Sequence, residues 1–161
     1  MKRSPEPAEA PIDFEPRLRI GEAAALAGVS ARTLRYYQEL GLLTPAGTTT
    51  GGARRYSDAD VARVGRIRHL RDLVGLDLNE VGRVLAAEDR LAALRREWFE
   101  GQSSRRQAAL LHEAVSINEE VQEIVRAKML GLTEFMAGLE ERGDNYRRKL
   151  RELDGTALAR S

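Results

Sequence analysis

Apolar residues recur along this chain in short helical runs, and the longest run occupies its last third. LRIGEAAALAGVS predicts a helix over about Ile20 to Ala27 followed by a turn. Gly28 supplies the backbone freedom of a tight turn, Val29 plugs the corner, and Ser30 is a good N-cap for a second helix. Ala24 is small where two helices must cross closely. In the second helix Leu34, Tyr37 and Leu40 lie toward the inside. The helical period then stops. LLTPAGTTTGGARRY, with Pro45, Gly47, Gly51 and Gly52, reads as two short extended pieces forming a two-stranded wing, or else as a plain linker. Ser57 with Asp60 opens a third helix through a variant capping box. Val61, Val64, Ile67, Leu70 and Leu73 form its inner face, and Arg63, Arg66, Arg68 and Arg71 lie outside. Gly75 ends it, Asp77 caps a fourth helix, and Leu78, Val81, Val84 and Leu85 form that helix's apolar side.

Residues 88–103 read as a connector, helical from Asp89 to Glu97 and closing on the adjacent pair Trp98 and Phe99. From Ser104 one amphipathic track runs Leu110, Ala114, Ile117, Val121, Ile124, Lys128, Leu132, Phe135, Leu139. Its mean step is about 3.6 residues, so the seam stays nearly straight along a helix. One small chain cannot hide so long an apolar face, so a partner helix must cover it, with Lys128 helping to set register. Gly143 and Asp144 predict a break, leaving a short amphipathic piece through Tyr146, Leu150 and Leu153. At the other end, residues 1–17 hold four of the five prolines and too little apolar surface to offset ordering, which predicts a disordered tail.

Charge changes this picture locally. The net charge is only +1, but residues 32–71 carry eight arginines against Glu39, Asp58 and Asp60, while residues 104–154 are nearly neutral. A polyanionic partner fits the basic stretch. Within the second helix Arg32, Arg35, Tyr36 and Glu39 form one polar stripe. Arginine forks grip guanine edges or phosphates and a tyrosine hydroxyl bonds phosphate, as a major-groove reader requires. A solvated charged face is the alternative for the stripe taken alone. The turn and capped helix before it, and Arg54, Arg55 and Tyr56 after it, favour the reader.

Other chemistry is sparse. The absence of cysteine excludes disulfides, thiolate metal sites, iron–sulfur clusters and thiol switches. His69 and His112 are isolated and read as surface or interface residues, so no metal site and no cofactor is expected. No run of about 18 apolar residues spans a membrane and no apolar signal core is seen, so a cytoplasmic location is expected. Neither a Ser/His/Asp set nor a paired-carboxylate cleft nor a phosphate loop in context points to an enzyme.

The series Ile20-Gly21-Glu22, Gly28-Val29-Ser30, Arg32-Thr33-Leu34-Arg35-Tyr36-Tyr37, Gly41-Leu42-Leu43, Pro45, Arg54, Tyr56-Ser57 and Asp60 resembles the MerR family of bacterial transcription regulators. The resemblance covers about residues 18–87. It implies a mostly α fold: a winged helix-turn-helix DNA-binding domain with a small β wing, then a long dimerisation helix over 104–153 that pairs antiparallel with its mate. It also implies a homodimer on double-stranded promoter DNA, distorting the spacer where RNA polymerase binds. Ser30, Arg32, Thr33, Arg35, Tyr36 and Tyr37 then belong to the reader, and Arg54, Arg55 and Tyr56 to the wing. The family often carries an aromatic before the wing arginine, where this chain has Ala53.

Two rival functions follow from the same residues. An architectural or recombination-accessory protein also bends DNA, and a coiled-coil scaffold keeps the fold without binding DNA. Trp98 and Phe99 fit either a hydrophobic plug or a wall of a pocket for a small organic effector. Control by abundance, without a ligand, is the competing mode.

Overall fold

The structure is a computed structural model describing residues 15–158, with side chains described for 15–154. The expected tail therefore lies almost wholly outside the described residues. Among the described residues the fold has five helices and one small antiparallel sheet: α1 (Ile20–Ala27), α2 (Ala31–Glu39), β1 (Gly47–Thr48), β2 (Arg54–Arg55), α3 (Asp58–Asp72), α4 (Leu78–Phe99) and α5 (Ser104–Leu158). The chain divides into two compact units, one up to Arg90 and one from Leu91 onward.

Local chemistry places the first three helices. α1 is opened by Glu22, whose carboxylate accepts the Arg19 backbone N–H at 2.6 Å. It ends at Gly28 with φ +64, which a side-chain-bearing residue adopts only under strain. Ser30 Oγ then accepts the Thr33 N–H at 3.0 Å and starts α2. The buried α1 residues are Ala23, Ala24 and Ala27, small enough for close packing against α2 and α3. Leu34, Tyr37, Val64, Ile67 and Leu70 complete that core. Arg68 crosses to donate to the Ala27 carbonyl at 3.0 Å and so satisfies an orphan acceptor at the end of α1.

Two expected core residues lie outside it. Leu40 and Leu73 are 44% and 77% exposed. Each is the C-cap of its helix, one residue past the last helical position. The inward positions are taken after the following glycines, by Leu42 and Leu43 beyond Gly41 and by Leu76 beyond Gly75.

The wing is a true hairpin. Gly47 pairs with Arg55 and Thr48 with Arg54. Gly52, at φ +79, turns the tip, and Thr49 closes it through its N–H to the Ala53 carbonyl at 2.8 Å. Leu18 forms an isolated antiparallel bridge with Tyr56, so the segment before α1 braces the wing's base. Asp60 ties the wing to α3. Its buried carboxylate accepts the Ser57 N–H at 2.8 Å, completing the expected capping box, and the Ala46 N–H at 3.1 Å.

Two expected boundaries are corrected. The connector over 88–103 is not separate, because α4 runs unbroken from Leu78 to Phe99 and only residues 100–103 turn. A reciprocal box between Asp77 and Glu80, both bonds 2.8 Å, starts α4. Nor does Gly143 break the last helix: α5 continues through it to Leu158, about 80 Å at 1.5 Å per residue. One glycine in a helix interior costs only about 1 kcal/mol. The neighbouring pairs Arg147–Asp144, at 2.7 Å, and Arg148–Asn145, at 2.6 Å, favour the helix.

Candidate nucleic-acid interface

α2 is divided as its sequence implies. Leu34 and Tyr37 are buried, while Arg32, Arg35, Tyr36 and Glu39 face out, Tyr36 at 47% exposure. Arg35 shares a cleft with Arg19 and with the wing residues from Gly52 to Tyr56. Cationic groups from α2, the wing and the segment before α1 therefore border one concave surface. An anionic rod with exposed phosphates suits such a surface, and a short capped helix flanked by a hairpin fits a groove and its adjacent backbone.

Several expected contact residues have other duties. Tyr37 is 1% exposed and its hydroxyl accepts a bond from Arg71 at 3.2 Å. Tyr56 is fully buried, with its hydroxyl accepting from the Gln38 amide. Both rings are core components, so as the chain stands neither offers a face to DNA. The Ser30 and Thr33 hydroxyls bond each other at 2.9 Å within the cap of α2. Arg32, Arg35, Tyr36, Arg54 and, half-buried, Arg55 remain as outward groups.

The basic excess is also redistributed. Arg63 forms a forked pair with Asp89 at 2.9 and 3.0 Å and donates to the Leu42 carbonyl at 2.7 Å. Arg66 pairs with Glu88, and Arg71 with Asp72 at 2.8 Å. The Arg71 guanidinium is held above its ordinary value chiefly by its hydrogen bond to Asp72. Asp72 is correspondingly held below the carboxylate range by Arg71. The α3 arginines lie outside the core, as expected, and there Arg63, Arg66 and Arg68 brace α3 against its neighbours. Counting charges by sequence window misses this, because Glu88 and Asp89 lie beyond the window.

One functional candidate went unread in the sequence. Gln38 bridges α2 and the wing, with Oε1 accepting from Arg54 at 2.6 Å and Nε2 donating to Tyr56. A lone glutamine between an aromatic pair and a glutamate carries no sequence signal for this.

In the second unit, Trp98 is half-buried and lines a small cavity of about 190 Å³ with Leu91, Leu94, Arg95, Leu110, Leu111 and Ala114. Phe99 stands 80% exposed and is not part of that lining. Of the expected dimer seam, Leu110, Ile117 and Ile124 are already buried in the single chain, and Ala114 and Val121 are half-buried. Leu132, Phe135 and Leu139 are exposed at 59%, 63% and 42%. Among the described residues, no group of three or more His, Asp or Glu gathers to hold a metal ion. No helix there is long and apolar enough to cross a membrane.

A helix-turn-helix whose second helix is bordered by a two-stranded hairpin, with outward cations on both, defines a winged helix-turn-helix domain. A family profile described as MerR HTH family regulatory protein matches residues 18–88. The transcriptional activator TipA of Streptomyces coelicolor is 45% identical over 80 residues, covering 48% of this chain and 31% of that protein. The mercuric resistance operon regulatory protein of Bacillus cereus is 38% identical over 84 residues, covering 52% and 63%. A solved structure described as a MerR family transcriptional regulator from Listeria monocytogenes shares the fold. It has a TM-score of 0.53 and 24% identity over 89% of this chain and 99% of that one. Residues 18–88 of this chain thus carry the winged domain that the MerR family profile describes. The chain matches these two sequence relatives over 31% and 63% of their lengths, through that domain.

Proposed function

We propose that this chain is a MerR-type transcription regulator that binds double-stranded promoter DNA as a homodimer and distorts the spacer. The observation that carries the reading is the shared surface of α2 and the wing, where Arg32, Arg35 and Arg54 point outward beside Tyr36. Arg35 and Tyr36 enter the major groove and Arg54 holds the flanking backbone. The sequence relatives are transcriptional regulators, one of them named an activator, and catalysis has no part in this reading.

Homodimerisation is supported by α5. Its exposed Leu132, Phe135 and Leu139 lie at helical spacing and offer apolar area that water disfavours. A second copy covers this stripe, and two reader helices then meet two half-sites of one operator. RNA polymerase at the same promoter is the partner on which distortion acts. Trp98, without Phe99, lines the cavity proposed for a small organic effector. At about 190 Å³ the space suits a single ring rather than a drug-sized ligand.

The test is enrichment of a randomised duplex pool by the full-length chain, followed by nuclease footprinting on its own genome's promoters. A pseudo-palindromic site within a promoter spacer is expected. Enrichment of bent sites unrelated to promoters favours the architectural role, and no enrichment at all favours the scaffold.

A further inference from the structure

Arg54 is exposed on the wing, yet its guanidinium is held in place. Nη1 donates to Gln38 Oε1 at 2.6 Å, and the other end of that amide donates to the hydroxyl of fully buried Tyr56. A guanidinium carries only donors, so the amide oxygen must face it and the NH₂ must turn to the phenol. One chain of bonds therefore runs from the wing surface through the reader helix into the core.

We propose that Gln38 is a positioning residue for DNA recognition, aiming Arg54 at a backbone phosphate while leaving its positive charge intact. This rests on the reading of the domain as DNA-binding. The chemistry of the acceptor carries the first part of the argument. Arg63, Arg66 and Arg71 are each held by a carboxylate, which cancels their charge as it fixes them. Arg54 is fixed by a neutral amide. An amide oxygen supplies geometry without net charge, so attraction to phosphate and release of its counterion are preserved.

Placement carries the second part. Gln38 lies on α2 two residues after Tyr36, and Arg35 and Arg54 line the same cleft. The helix that presents Arg35 to the groove thus also sets where Arg54 stands, and the spacing of the two contacts is fixed before DNA arrives. A long side chain ordered in advance loses less freedom on binding, an advantage of about 0.5–1.5 kcal/mol, or about two- to twelvefold in affinity.

The test is a double-mutant cycle on a duplex enriched by the full-length wild-type chain, with salt series and thermal melting of every variant. Gln38→Met is expected to weaken binding about two- to twelvefold in the wild-type background and to have no effect in an Arg54→Ala background. Gln38→Glu keeps Arg54 pinned but neutralised, and should make the slope of log K against log salt shallower by about one. This conservative variant carries the test if Gln38→Met fails to melt cooperatively. A full Gln38→Met penalty in the Arg54→Ala background, or a wild-type slope for Gln38→Glu, overturns the proposal and leaves the DNA reading standing. Failure of the wild-type chain to enrich any duplex overturns both.

Discussion

Arg35 is the residue on which the proposed recognition turns, because it is exposed on α2 and no carboxylate pairs with it among the described side chains. Replacing it by alanine is expected to cost about 1–3 kcal/mol on the enriched duplex and to relax base preference at one position of each half-site. Equilibrium titration against single-position sequence variants checks this, and an unchanged preference profile would show that Arg35 reads no base. Residue-scale legibility was uneven. Ser30, Ser57 and Asp60 were readable as caps because a cap bonds to backbone three positions away, inside the local sequence. The inward position of Tyr37 follows from helical spacing, but the burial of Tyr56 was harder to read, since its hydroxyl partner Gln38 lies 18 residues away. A tyrosine in a basic stretch looks the same whether its ring meets a phosphate or a core.

Elements were legible where a chemical stop coincided with a change of period. The wing is a case: Pro45, Gly47, Gly51 and Gly52 mark the turn-rich segment, and the flanking pairs take the register of a hairpin. Where only composition suggested a stop, the reading failed, and Gly143 is the clear instance. Its added Cβ would meet only the Arg147 side chain, no closer than 3.7 Å, so Gly143→Ala should raise stability by about 0.5–1 kcal/mol. Thermal melting followed at 222 nm decides it; a lowered midpoint would mean that the helix does bend there.

The turn between α4 and α5 gives a second test at this scale. Glu97 accepts two bonds from Arg106, at 2.6 and 2.8 Å, which hold its carboxyl below the ordinary value of 4.5. A carboxyl depressed in the folded state contributes stability above its unfolded value and loses it as pH falls through the folded one. Glu97→Gln should therefore melt slightly below wild type at pH 7, with the difference closing only under pH 4.5. A difference that persists unchanged into acid would assign the effect to packing rather than charge.

For the whole molecule, two assignments depend on a second copy: the exposed stripe of α5 and the pairing of two reader helices. A chain ending at Glu100 keeps the winged domain but lacks α5, and sedimentation should find it monomeric with most specific affinity lost. A truncated dimer that binds normally would move the interface elsewhere. The division of labour between halves was partly visible in sequence, since basic charge falls before residue 72 and the long apolar track after 104. What stayed hidden was that Leu110, Ile117 and Ile124 are buried within one chain, because periodicity shows that a face needs cover but not which element supplies it. Sequence reading by this surface is tested by titrating the wild-type chain with its enriched duplex and with a shuffled duplex at physiological salt. The enriched sequence is expected to bind at least about 10³-fold tighter, the lower bound for a specific protein–DNA complex. Equal affinity for the two duplexes would contradict it.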